Sequence, residues 1–293
     1  MLGVGRKKRL EDSICYFLIA MVLLFFLFPI YWIFITSIKV QADVFAIPPK
    51  FLFIPTLSNY EEVFLGKTAG GVGSVIGGES TTDFMRFIWN SLVISSAATG
   101  IALFCGVLAA YAIVRFKFRG KRDVAYWILS TRMAPPIVIL IPFFMFFRTL
   151  GMIDTYPALI IVDLTIALPL AIWMMAGFFQ GIPLELEESA MVDGCSRMGA
   201  FFRVALPLSA PGLAATAILA LIFCWNDFIF ALILTGMSTK TAPVAIYNFV
   251  SFEEIRWGPL TAAGIVVMLP VIIFSYIVQK WLIQGLTLGA IKG

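Results

Sequence analysis

Six runs of apolar residues, each about as long as a membrane is thick, constrain this chain more than any other feature. With their polar interruptions they fall at residues 14–38, 87–114, 124–147, 158–180, 212–236 and 259–279. A hydrocarbon core of about 30 Å takes about 20 residues of helix, and lipid offers the backbone no hydrogen bonds, so each run is expected to be helical. The composition agrees: 61% of the 293 residues are apolar and 13% are charged, against roughly 45–50% and 25% in soluble domains. The expected fold class is an all-α membrane protein of six transmembrane helices. The first run follows Arg6-Lys7-Lys8-Arg9, as a signal peptide would. It has about twice the usual apolar length and no small-residue cleavage site after it, so it reads as a retained helix.

An even number of spans puts both termini on one side. With that side cytoplasmic, 13 Lys and Arg fall in segments 1–13, 115–123, 181–211 and 280–293, and seven in the outer segments. The excess is concentrated in Arg6 to Arg9 and Arg115 to Arg122, beside apolar spans, where short-loop charge sets orientation. These runs therefore read as topology determinants, and no nucleic acid is expected as partner. The organisation is a cytoplasmic N-terminus (1–13), a first helix (14–38), an outer loop (39–86), a helical core (87–283) containing the cytoplasmic loop 181–211, and a cytoplasmic tail (284–293).

Several chemistries lose their usual residues. The chain has no His, the commonest general base and zinc ligand. Of its four cysteines, Cys15, Cys105 and Cys224 lie in spans and Cys195 in the loop 181–211, with no CxxC pair. No disulfide, metal site or catalytic residue is expected. Gly66-Lys67-Thr68 resembles the end of a phosphate-binding loop, but Glu61 stands five residues earlier where glycine is required, and no buried strand precedes it. The six glycines of 66–78 read instead as a flexible turn in a partner-facing outer loop.

The loop 181–211 carries the most information. Pro183 suits a first helical turn, Glu185, Glu187 and Glu188 sit near its positive end, and Gly194 can end the helix in a left-handed cap. Ser196 can cap a second helix, in which Met198, Phe201, Phe202 and Ala205 form an apolar stripe and Pro207 is the stop. Glu188-Ser189-Ala190, Gly194 after three residues and Val204-Ala205-Leu206-Pro207 after nine more resemble the EAA loop of the membrane subunits of ATP-binding cassette importers. In that family the pattern is Glu-Ala-Ala, three residues, Gly, nine residues and Ile-x-Leu-Pro; Ser189 and Val204 are small departures in volume. The resemblance implies a coupling helix docked in a cleft on a separate ATPase, with Glu187, Glu188, Ser189, Ala190, Asp193, Gly194, Leu206 and Pro207 at the contact. An amphipathic helix pair lying on the membrane is the competing reading, but Glu185, Glu187, Glu188 and Asp193 oppose anionic lipid.

The resemblance covers essentially the whole chain and is nearest to the second membrane subunit of the carbohydrate-uptake, maltose-transporter branch. It rests on Arg132-Met133-Ala134-Pro135-Pro136, Trp225-Asn226-Asp227-Phe228, Arg256-Trp257-Gly258-Pro259-Leu260 and the tail from Gly285 to Gly293. It implies a type I importer permease (MetI-like) fold in the bacterial inner membrane. It also implies a second, different permease chain, two ATPase copies that bind the ATP and Mg, and an extracytoplasmic solute-binding protein delivering a sugar or polyol. By the same resemblance the tail, through Gly285, Thr287, Gly289 and Lys292, touches the ATPase dimer.

Inside the spans, Arg132, Asp163, Trp225, Asn226 and Asp227 stand out. A charge facing lipid at mid-membrane costs about 2.5–3.5 kcal/mol or more. These residues should therefore line a polar translocation path or form an internal Arg132–Asp pair that touches no substrate. Prolines 29, 135, 136, 142, 169 and 270 are expected to kink or break the spans. Two other readings stay open: a stand-alone secondary transporter using Asp163 and Asp227 as ion carriers, and a membrane scaffold.

Overall fold

The computed structural model describes residues 2–66, 83–250 and 255–290, with side chains over 12–66, 83–250, 255–277 and 279. Most of the glycine-rich turn, from Lys67 onward, and Lys292 of the tail lie outside the described residues, as does the side chain of Thr287. Among the described residues the structure is helical, with one isolated bridge between Val250 and Ile255. The main helices are α1 (Leu2–Ser37), α2 (Ser58–Leu65), α3 (Phe84–Arg115), α4 (Lys121–Ser130), α5 (Pro136–Thr149), α6 (Tyr156–Gly181), α7 (Leu184–Val192), α8 (Arg197–Leu208), α9 (Ala210–Trp225), α10 (Ile229–Leu234) and α11 (Trp257–Ala290).

Among the described residues, four helices are long and apolar enough to cross a membrane, or six if the bent pairs α4–α5 and α8–α9 each count as one span. The third expected span is not straight: a 3-10 turn at Thr131–Met133 separates α4 from α5, which meet at 93°. Pro135 and Pro136 account for this break, because each removes a backbone donor and the residue before a proline avoids helical angles. The other prolines do not break their helices: Pro29, Pro142, Pro169 and Pro270 lie inside α1, α5, α6 and α11. The expected span 212–236 ends early, at Trp225, and resumes at Ile229.

The chain divides into two compact units, Met1–Asp83 with Ile246–Val266, and Phe84–Ala245 with Val267–Gly293. In the first unit, the side chains of α1 from Ile14 to Phe28 are all apolar and all exposed, as suits a helix facing lipid or another chain. Beyond α1, Asn59 donates to the carbonyls of Ser37 (2.9 Å) and Lys39 (2.8 Å). The buried Lys39 donates to the carbonyl of Lys50 (2.7 Å) and sits over the rings of Trp32 and Phe53. Arg256 pairs with the buried Glu62.

In the second unit α3, α6 and α9 pack on one another. Lipid is as apolar as the side chains, so association there depends on close fit between small residues. Ala98, Ala102, Ala167 and Ala220 are fully buried. A Cβ on Gly106 would stand 2.7 Å from that of Ala171, and one on Gly212 would run into the ring of Phe178.

Polar side chains fasten the chain ends of this bundle. Asn90, near the start of α3, donates to the carbonyls of Ser238 (3.1 Å) and Lys240 (2.9 Å) and accepts from the Tyr156 hydroxyl (2.6 Å). Ser91 accepts from the amide of Ala242 (2.8 Å). Just before α6, Asp154 has a left-handed backbone (φ 59°) that Asp tolerates better than most residues. Its carboxylate accepts from the amides of Gly236 (2.9 Å), Ser238 (3.0 Å) and Thr239 (2.9 Å) and from the Thr239 hydroxyl (2.7 Å). Burial pushes this acid up, but the four donors outweigh it and hold it at about 2.

Candidate functional site: the loop after α6

The segment after α6 folds into the two short helices that its residues suggest. Pro183 precedes α7, and Glu185 and Glu187 occupy its first turn, where a carboxylate meets the positive end of the helix. At the other end Gly194 has φ +92°, with its amide bonded to the Met191 carbonyl (3.1 Å) and that of Cys195 to Ala190 (3.0 Å). This left-handed cap needs glycine. Ser196 then caps α8 by accepting from the amide of Gly199 (3.0 Å).

The structure sorts the acidic residues onto two faces of α7. Glu185, Glu188, Ser189 and Val192, at i, i+3, i+4 and i+7, are exposed, as is Asp193; Val192 is 87% exposed. Ala190 is half-buried, and Ser189 donates back to the Glu185 carbonyl (2.8 Å). Glu187 is different. It is 2% exposed and faces inward, away from the exposed face where the resemblance placed it. One carboxylate oxygen accepts from the Tyr111 hydroxyl (2.6 Å) and the other from Nε of Arg115 (2.7 Å), while Nη2 of Arg115 reaches the Ile182 carbonyl (2.8 Å). A carboxylate one position from the solvent face of a helix turns about 100° away from it, which sequence spacing alone shows only once the outer face is known.

The apolar stripe expected on α8 is only half buried. Phe201 and Ala205 are inside, whereas Met198 and Phe202 are exposed. A wide π turn spans Phe201–Ala205, so the regular i, i+3, i+4 stripe is not kept there. Pro207 does not stop the helix either. It is exposed, with Leu206 half-buried, inside the continuation to Leu208, and the 73° bend comes at the buried Ser209. Between α7 and the end of α3 lies a cavity of about 390 Å³ whose lining includes Arg115, Lys117, Arg197, Glu187 and Glu188.

The polar residues of the spans have separate places. Arg132 lies exposed in the break between α4 and α5, 5.2 Å from the Phe223 ring, and forms no ion pair among the described residues. The expected Arg132–Asp pair is therefore not formed. Asp163 is 1% exposed on α6, and neither of its oxygens has a hydrogen-bond partner among the described residues. Trp225 is buried within the chain, its indole donating to the Val267 carbonyl (3.2 Å). Asn226 is exposed and donates to the Ile222 carbonyl (2.9 Å). Asp227 caps α10 by accepting from the amides of Phe230 (3.4 Å) and Ala231 (3.0 Å), the job the helix break creates for it.

Sequence reasoning missed Tyr111 as a member of this site and read Arg115 only as a topology charge. The available signal was their spacing: two polar residues at i and i+4 share one face in the last turns of an otherwise apolar span.

Residues 102–288 match the family described as binding-protein-dependent transport system inner membrane component. The chain is 40% identical over 274 residues to the trehalose transport system permease protein SugB of Mycobacterium tuberculosis, covering 91% of this chain and 93% of the relative. It is 35% identical over 275 residues to the trehalose/maltose transport system permease protein MalG of Thermococcus litoralis, covering 91% and 92%. A solved bacterial ABC transporter involved in the import of the acidic polysaccharide alginate superposes with a TM-score of 0.71 at 24% identity, over 94% of this chain and 97% of that one. The fold is thus that of ABC importer permeases, and the chain belongs to the family of binding-protein-dependent transport system inner membrane components.

Proposed function

We propose that this chain forms half of the translocation path of an importer for a sugar or polyol, with both termini in the cytoplasm. ATP and Mg are bound by a separate ATPase present in two copies, an extracytoplasmic solute-binding protein delivers the substrate, and a second, related permease completes the path. The exposed stripe of Glu185, Glu188, Ser189 and Val192 on a helix anchored from its other face carries this reading. A short rigid helix that offers two carboxylates and an apolar tip to solvent suits a cleft on a protein, and its charge opposes anionic lipid. Closure of the ATPase dimer on ATP would draw the two α7 helices together and turn the cavity outward, and hydrolysis would reset it. The names of the relatives, which specify trehalose and maltose, support a carbohydrate as cargo.

The test is reconstitution with the ATPase, the second permease and the binding protein, scoring sugars by their stimulation of ATP hydrolysis. In that complex Glu188→Lys is expected to release the ATPase on purification and abolish ATP-driven uptake. Retained assembly with normal uptake would sink the docking claim. The ion-coupled alternative makes the opposite demand: the purified chain alone should take up sugar under a proton or sodium gradient. Asp227 is already engaged in capping α10, which leaves that alternative with Asp163 alone.

A further inference from the structure

The covalent joints on either side of α7 are poor transmitters of force. Gly181 and an extended Ile182 precede it, and a left-handed Gly194 follows it. A short helix pushed at its exposed face would swivel on such joints unless something held its inner face.

The side chains that hold it come from α3. Both oxygens of Glu187 are occupied, by Tyr111 and by Arg115, and the second hydrogen bond of Arg115 spans the joint to the Ile182 carbonyl. Side-chain exposure is 3% for Glu187 and 9% for Arg115, so salt and water weaken the pair little. The Tyr111 ring also packs against Phe201 of α8 (4.6 Å between centroids) and Phe179 of α6 (5.6 Å). From this point α3 runs back as one unbroken helix of 32 residues, about 48 Å long. At its other end Asn90 and Ser91 hold Ser238, Lys240 and Ala242.

We propose that Tyr111 and Arg115 are positioning residues that latch α7 to α3 through Glu187, making α3 the lever by which a displacement of α7 reaches the loop 238–242. The proposal rests on the ATPase-coupled reading above. A hydrogen-bonded, buried ion pair is suited to this task because it fixes direction as well as distance, whereas apolar packing alone lets surfaces slide.

Spin labels at Leu186→Cys on α7 and Phe104→Cys on α3, both exposed, report the link directly. They are placed in the assembled transporter on a background of C15A, C105A, C195A and C224A, with the partner chains freed of cysteine. Electron–electron distances are compared without nucleotide and after trapping with ADP and vanadate. With the latch intact the separation is expected to change by less than about 2 Å, as for one rigid body. With Glu187→Gln, or with the milder Tyr111→Phe if the first variant fails to fold, trapping is expected to shift or broaden the distance while the yield of assembled complex is unchanged. A merely structural role would lower that yield and leave the nucleotide response alone. An intact chain whose separation changes by about 5 Å or more, or variants that track the parent, would overturn the latch. A chain that co-purifies with no ATPase overturns the importer reading itself, and the lever with it.

Discussion

Asp154 and Glu187 lie at opposite ends of α6, one just before it and one just after, and each is a carboxylate that holds a loop. They do so in different ways. Asp154 binds three backbone amides and one hydroxyl within Gly236–Thr239. Glu187 binds only side chains, both from α3. A clamp on backbone amides fixes a loop's shape, whatever side chains the loop carries. A link between side chains of two helices makes the position of one depend on the other. The first is a means of rigidity, the second a means of transmission.

The largest expected effect comes from breaking the second. Glu187→Ala leaves the buried guanidinium of Arg115 without its counter-charge, and loss of one partner of a buried pair costs about 3 kcal/mol or more. Thermal unfolding of the purified chain should show it, and a cost no greater than that of a surface substitution would erase the contrast. Asp154→Ala is expected to cost less, about 2 kcal/mol, because it orphans neutral amide and hydroxyl donors rather than a buried charge. The effect should be confined to the loop, seen as faster amide exchange at Gly236, Ser238 and Thr239. If exchange also quickens in α7, the two ends are not independent and the comparison fails.

Acid offers the same contrast without mutation. The folded-state pKa of Asp154, about 2, lies below the ordinary value of 3.8. Its stabilisation is therefore complete above about pH 4 and is lost as pH falls toward 2. Amide protection in Gly236–Thr239 should decline across that window. The smallest effect is expected from Gly194→Ala, which places a Cβ at φ +92° and costs about 1 kcal/mol. It should loosen the end of α7, read as faster exchange at Cys195, while the Glu187 link holds.

Much of the site was legible in the residues. Pro183, Gly194 and Ser196 act through their own backbones, so their roles as start, cap and second start follow from local chemistry and appear where expected. The two-faced character of α7 was not legible. Glu185, Glu187 and Glu188 are the same residue type within four positions, and only the neighbour supplied by α3, 76 residues away from Glu187 at Tyr111, makes one of them an inner residue. The capping role of Asp227 was not legible either, because nothing around it in the sequence marks the helix break that creates the cap. Pro135 and Pro136 announced one break, and Pro207 and Pro211 flank the bend at Ser209, whereas the gap at 226–228 has no proline of its own.

By itself the sequence determined the membrane class, the approximate spans, the two-helix loop and its resemblance to importer permeases. These depend on hydropathy over a membrane's thickness and on capping residues, both of which act over a few turns of chain. The tertiary structure decided which carboxylate faces solvent, which one joins α7 to α3, and which polar residues of the spans serve the chain's own architecture. Those outcomes depend on groups brought together from distant positions. Burial and a partner, rather than residue type, decide what a charge does there.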